Sequence, residues 1–196
     1  RMTNNQIFEE DPVRILRAVR LAAQYNLTID DRTKTQIQKN NILIPKISGE
    51  RVREEFLKLL SMKNTVANLK TLDDLGILTN IIPELEPCRK TAQNMDHHWM
   101  VLDHMLQTAG QVENIVTGNL INTGPYPKFI QDYIPKNDFH EDYFNQMYSE
   151  GHSRFTLLKL SSLLHDIGKP DTKSIGSDGK IRFLTHEKLG GEVAHT

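Results

Sequence analysis

Phe155-Thr156-Leu157-Leu158-Lys159-Leu160-Ser161-Ser162-Leu163-Leu164-His165-Asp166-Ile167-Gly168-Lys169-Pro170 runs an apolar helix straight into an adjacent His-Asp pair. Phe155, Leu157, Leu158, Leu160, Leu163 and Leu164 form the buried approach, and Gly168 is expected to close the helix in the left-handed cap conformation. Imidazole nitrogen and carboxylate oxygen both suit a divalent first-row metal, so His165 and Asp166 are candidate ligands from consecutive positions. Lys169 follows where a phosphate oxygen would lie. Together these residues point to metal-assisted chemistry on a phosphate ester, with His165, Asp166 and Lys169 as the catalytic set. The plainer alternative is a helix cap followed by a solvated lysine. The apolar approach and the Gly-Lys-Pro exit weigh against it.

A metal needs further ligands. The stretch Asp96-His97-His98-Trp99-Met100-Val101-Leu102-Asp103-His104-Met105-Leu106 offers His104, which shares a helix face with His97 and Val101. His104 is the best third ligand, with His97 and His98 as outer or phosphate contacts. His186, in Leu184-Thr185-His186-Glu187, is a further metal candidate, beside a capping or surface role. His140, His152 and His195 carry no supporting pattern and are expected on the surface.

Helical periodicity dominates the chain and alternating β-branched runs are scarce, so the expected fold class is all-α. Asp11-Pro12 should cap a helix carrying Val13, Leu16, Val19 and Ala22 and ending near Asn26. Residues 28–31 cap a second helix, Ser48-Gly49-Glu50 starts a third, and residues 66–75 form a fourth, closed by Gly76. Residues 87–93 read as a boundary between a neck bundle, residues 1–90, and a second helical unit, residues 91–196. That unit is expected to hold a helix over 97–116, an acidic, aromatic helical insertion over 129–147 and a closing helix from 185. A small hairpin or loop is expected over 174–183, turned at Asp178-Gly179.

Composition narrows the function classes. The chain has 196 residues, 38% of them hydrophobic, and a formal charge of -1, with a mean hydropathy of -0.48. No apolar run approaches the ~20 residues that cross a bilayer, so no membrane partner is expected. The single cysteine, Cys88, excludes an internal disulfide and suits a reducing cytoplasm. Between Pro87 and Arg89 it reads as packing in a connection. The molecule is not a polycation, yet eleven Lys/Arg stand against eight Asp/Glu up to Leu60. Any nucleic-acid contact should come from a local basic face there. The polar start lacks a signal peptide's apolar core, and both ends look cut from a longer polypeptide.

Phe8-Glu9-Glu10-Asp11-Pro12-Val13-Arg14-Ile15-Leu16-Arg17 resembles the neck of class II tRNA nucleotidyltransferases and bacterial poly(A) polymerases. Their Glu-Asp-x-x-Arg motif is matched by Glu10, Asp11 and Arg14. The resemblance implies that Asp11 and Arg14 read the Watson-Crick edge of an incoming C or A. It also implies that Glu10 holds Arg14, with Arg17 in the same nucleotide-binding set. A second motif, Glu-Arg-x-x-x-Glu, is matched by Glu50, Arg51 and Glu55 and implies a structural role beside the pocket. Gln93-Asn94 with the His97-His98…His104 run resembles the HD-type tail of some of these enzymes. The His-Asp pair itself resembles the HD superfamily of metal-dependent phosphohydrolases, which take ligands in the order His, His-Asp and a distant Asp. His104, His165 and Asp166 match the first three, and the chain stops before any position for the fourth. The polymerase head, with its Asp-x-Asp pair for two magnesium ions, also has no match. The implied parent adds nucleotides from ATP or CTP to the 3′ end of tRNA or another RNA, using Mg2+. The fragment alone should not polymerise. Rival readings are a divalent-metal phosphohydrolase of phosphomonoesters or cyclic phosphates, and a non-catalytic tRNA-binding module.

Overall fold

A computed structural model describes residues 6–94, 99–119, 139–149 and 151–195. Helices make up most of it, and the strands among the described residues form two antiparallel two-stranded ribbons. His97, His98, most of the expected 117–126 turn region and the first part of the 129–147 insertion lie outside the described residues.

Helix α1 (Ile7–Glu10) and helix α2 (Val13–Gln24) are parted by Asp11, whose backbone is extended at φ -149° and ψ 94°. Pro12, with its preset φ, stands at the N-cap of α2, and no side chain caps that end. The expectation that Asp11 caps α2 is therefore corrected: its carboxylate turns to Arg51 instead, 3.0 Å away. Helix α3 (Asp31–Asn40) does begin on a capping Asp30, which accepts from the Thr33 amide at 3.2 Å. A 3-10 turn (Asn41–Lys46) leads to α4 (Gly49–Leu60) and α5 (Thr65–Asp74). The short α6 (Leu78–Ile81) stops where Ile82 takes an extended ψ before Pro83. Single 3-10 turns follow at Pro83–Leu85 and Pro87–Lys90. The second of these is fastened to α5 by a two-pronged Arg89–Asp73 pair at 2.6 and 2.8 Å. It also buries Cys88 completely. Burial pushes that thiol up to about 12, and the Asp166 and Asp171 carboxylates add to the shift.

Helix α7 (Val101–Val116) starts at Val101 rather than at His97 and buries Val101, Leu102, Met105, Leu106 and Ala109. It crosses α5 so closely that a Cβ on Gly110 would lie 2.1 Å from Val66 Cγ2. Helix α8 (Phe139–Asn145) leads into a ribbon of β1 (Met147–Ser149) and β2 (His152–Ser153), which the sequence reading lacks. The ribbon buries His152, so its expected surface placement is corrected. Its Nε2 lies 3.7 Å from Glu54. Helix α9 (Arg154–Leu164) is capped by Ser153 and packs along α7. After α10 (Lys169–Thr172) comes the expected hairpin, β3 (Lys173–Ile175) against β4 (Ile181–Phe183), and then α11 (His186–Val193). One continuous cluster of buried side chains runs from Phe8 through Leu57 and Leu102 to Ile167.

Lys159 on α9 is 1% exposed, an environment that requires a charged partner. Its Nζ donates to the carbonyls of Leu60, the last residue of α4, and Met62, just beyond it, at 3.1 and 2.9 Å. Glu113 on α7 accepts from the amides of Asn64 and Thr65, at 2.9 and 2.7 Å, at the start of α5. The two charges stand 3.8 Å apart. A cation thus meets the negative end of one helix and an anion the positive end of the next. Burial lowers the Lys159 pKa, with Glu113 opposing. Glu113 is lowered although burial acts against its charged form, because the amides of Thr65 and Asn64 and the Lys159 charge prevail. Glu113→Ala strands a buried cation and two helix-end amides, and should lower unfolding stability by about 3 kcal/mol in urea titrations.

Candidate functional site

The two helices α7 and α9 bring His104 and the helix-terminal His165 together, with ring centroids 5.2 Å apart. Asp166 follows in the turn and is 3% exposed. Its Oδ2 lies 3.0 Å from His165 Nε2, 3.3 Å from His104 Nε2 and 2.7 Å from Lys169 Nζ. None of these is oriented as a hydrogen bond, so Oδ2 is a buried oxygen without a hydrogen-bond partner. Its other oxygen, Oδ1, is 3.4 Å from Nε2 of His186, the first residue of α11. The sequence candidates His104, His165, Asp166, Lys169 and His186 therefore converge on one carboxylate.

A divalent cation fits this donor set. One donor atom each from His104, His165 and Asp166 lie within 4.8 Å of one another, the one such group among the described residues. His165 Nδ1 is 2.8 Å from the Ser162 carbonyl, and His186 Nδ1 is 2.6 Å from the Phe183 carbonyl. A carbonyl can only accept, so each Nδ1 carries a proton, which leaves Nε2, the nitrogen facing Asp166, as the atom that could ligate a cation. Burial acts against the charged form of Asp166, yet contacts with His104, His165 and Lys169 hold its carboxyl well below the usual range. Burial also acts against an imidazolium at His165, but Asp166 and the Ser162 carbonyl outweigh it and raise that pKa.

Gly168 does not play its expected part. It is right-handed, at φ -81°, and caps nothing in the left-handed sense. Its small size is what the site uses. A Cβ there would sit 2.3 Å from the His186 carbonyl and 2.7 Å from the Gly190 amide. That close approach seats α11 against the His-Asp turn and so delivers His186. Two residues without a role in the sequence reading beyond the tail resemblance, Gln93 and Asn94, complete the surroundings. Gln93 Oε1 accepts from Lys169 Nζ at 2.7 Å. Asn94 pairs through its side chain with both backbone groups of Ile181, at 2.9 and 3.0 Å. Of the other histidines, His195 is exposed and the side chain of His140 lies outside the described residues.

In the neck, Glu10 Oε2 lies 3.4 Å from Arg14 Nη1, and Asp11 Oδ2 lies 3.8 Å from Arg14 Nε. Arg51 reaches both oxygens of Asp11, at 3.0 and 3.1 Å. Glu55 is 6% exposed and accepts from Arg17 at 2.9 Å and Arg20 at 2.6 Å. Burial would raise the Glu55 pKa, but the two guanidinium groups prevail and lower it. Glu50 is exposed and, with Arg17, Arg51 and Glu55, lines a polar cleft of ≈ 610 Å³ between α2 and α4. Arg51 of the second motif thus meets Asp11 of the first, beside the cleft that Arg17, Glu50, Arg51 and Glu55 line.

Residues 26–89 match the family model described as a probable RNA and SrmB-binding site of polymerase A. The A-adding tRNA nucleotidyltransferase of Deinococcus radiodurans is 24% identical over 199 residues, which is 98% of this chain and 38% of that protein. A CCA-adding enzyme of Limosilactobacillus reuteri is 42% identical over 73 residues, 37% of this chain and 18% of the relative. A bifunctional uridylyltransferase/uridylyl-removing enzyme of Caulobacter vibrioides is 29% identical over 174 residues, 84% of this chain and 16% of the relative. The chain spans well under half the length of these relatives.

The Gly168 approach leaves no room for a methyl group. Gly168→Ala should lower stability by about 2 kcal/mol through overpacking and displace His186, read as a fall in melting temperature together with a shift of the His186 ring signals in NMR spectra.

Proposed function

We propose that this chain belongs to the class II tRNA nucleotidyltransferase and bacterial poly(A) polymerase family, to which its matches point, and that it is the RNA-handling portion of an enzyme adding nucleotides to RNA 3′ ends. Residues 1–90 act as the neck and residues 91–196 as an HD-type phosphohydrolase unit, both serving a cytoplasmic enzyme. The observation that carries the first part is the contact of Asp11 with both Arg14 and Arg51, beside the cleft that Arg17, Glu50, Arg51 and Glu55 line. Asp11 offers acceptor atoms and Arg14 donors, the complement that the edge of a C or A requires. Glu10 and Arg51 hold the two reading side chains from either side. ATP or CTP with Mg2+ would be used by a head outside residues 1–196. No helix of the described residues is long and apolar enough to cross a membrane.

The second part rests on Asp166 and the nitrogens around it. His104, His165 and Asp166 would hold a divalent ion, with His186 as a further ligand. Such an ion would supply Lewis-acid polarisation of a phosphoryl oxygen and acidify a water. The chain's own residues then have separate tasks. Ser162 and Phe183 fix the ring orientations, Ile167 and the buried α7 face exclude water behind Asp166, and Lys169 balances phosphate charge. A relative named for removing a uridylyl group matches 84% of the chain, which favours phosphoester hydrolysis as the activity of this unit.

Two measurements test these readings. In the full-length protein, Arg14→Ala should blur the choice between C and A by about tenfold or more in nucleotide-incorporation assays, the size of one lost charged hydrogen bond. Unchanged selection would refute the base-reading assignment. Calorimetric titration with Mn2+ should show binding that His165→Ala and Asp166→Asn abolish. A ligating imidazole must be neutral, and the raised His165 pKa moves proton competition upward. Affinity should therefore climb with pH through the window above the ordinary histidine value, about 6.5. Mn2+ binding that ignores both substitutions would remove the metal centre.

A further inference from the structure

Lys169 Nζ is held from three sides. Asp166 Oδ2 lies at 2.7 Å, Gln93 Oε1 at 2.7 Å, and the centroid of the Phe183 ring at 5.2 Å. The side chain is 12% exposed. Of these partners only Asp166 carries charge, and Asp166 is also the candidate metal ligand. A carboxylate committed to a cation no longer neutralises the lysine. Gln93 is different in kind. Its amide oxygen takes a strong hydrogen bond from an ammonium without cancelling the charge.

The segment that presents Gln93 is itself held in place. Gln93 is buried, and its Nε2 donates to the Trp99 carbonyl at 3.4 Å. The neighbouring Asn94 binds both backbone groups of Ile181 on β4, the strand that also carries Phe183. The segment before α7 and the hairpin after α10 are thus tied together around one ammonium group.

We infer that Gln93 is a positioning residue for Lys169: a neutral acceptor that keeps the ammonium at the mouth of the site with its charge available for a phosphate. The inference rests on the metal-centre reading above. Gln93 touches neither metal nor substrate and acts through Lys169.

The test is a double-mutant cycle read by titrating inorganic phosphate into Mn2+-loaded full chain. Gln93→Met and Lys169→Met should each weaken phosphate binding about tenfold, as expected for one charge-assisted contact. The double variant should bind no more weakly than Lys169→Met alone. Mn2+ affinity of Gln93→Met should stay at the wild-type value. Gln93→Glu keeps the oxygen but adds a charge, so it should also lose phosphate. Additive effects in the cycle would overturn the inference, because a purely structural glutamine has no reason to need Lys169.

A second readout uses no metal. The Lys169 ammonium 1H–15N signal, slowed in exchange by its hydrogen bonds, should be visible in the wild type and in Gln93→Glu, and lost in Gln93→Met. Its persistence in Gln93→Met would refute the link. Should wild-type protein bind no phosphate with Mn2+ present, the metal-centre reading fails, and the ammonium signal still decides whether Gln93 holds Lys169.

Discussion

The buried pair of Lys159 and Glu113 sets the register of the two helices that build the site. Unit charges about 4 Å apart attract by roughly 4 kcal/mol at an effective dielectric near 20. That is less than the desolvation of both ions, which amounts to several kcal/mol each. The pair is tolerable because it also completes two helix ends: carbonyls at the C-terminal end of α4 take the ammonium, and amides opening α5 take the carboxylate. Sliding α9 along α7 by a turn would carry the Lys159 ammonium away from both carbonyls and from Glu113. His104 lies nine residues before Glu113 on α7, and His165 six residues after Lys159 on α9. The helices must therefore be antiparallel, and about 9 to 13 Å of helix separates the clamp from the imidazoles.

At the other end of the helix pair, charge is again what organises the packing. Asp166 is buried, and burial alone would favour its neutral form. His104 of α7, His165 at the end of α9 and Lys169 of α10 reverse that preference, and α11 brings His186 alongside, so the turn after α9 becomes the point where four helices meet. An anion surrounded in this way is ready for a cation, since the side chains that would ligate it are already gathered. Nδ1 contacts to backbone carbonyls fix two of the rings, which removes rotational freedom before any ion arrives.

Much of this was legible in the sequence, and the reasons differ by element. Residues 28–31 announce α3 because a cap is a local interaction: Asp30 accepts from the Thr33 amide three residues on. The hairpin at 173–183 announces itself through Asp178-Gly179, again locally. His104, His165, Asp166 and His186 were found because the chemistry limits which side chains can serve. What stayed hidden was decided at a distance. Asp11 has the chemistry of a helix cap, but Arg51, forty residues away, offers it a charged partner. Gln93 leaves no trace in helical periodicity, because its partner Lys169 lies 76 residues on. Gly168 looks like a terminator, and only the placement of α11 shows that its missing Cβ matters for contact rather than for dihedral angle. His152 is buried by a two-residue strand too short to leave an alternating pattern.

Cys88 lies in the 3-10 turn behind the His-Asp site, fully buried and with its thiol pushed up to about 12. A thiol so protonated and so enclosed is a poor nucleophile in the native fold. Alkylating reagents can reach it only when the turn opens. The chain thus contains one intrinsic chemical clock, and the rate at which that sulfur becomes labelled reports how often the floor beneath the histidines breathes.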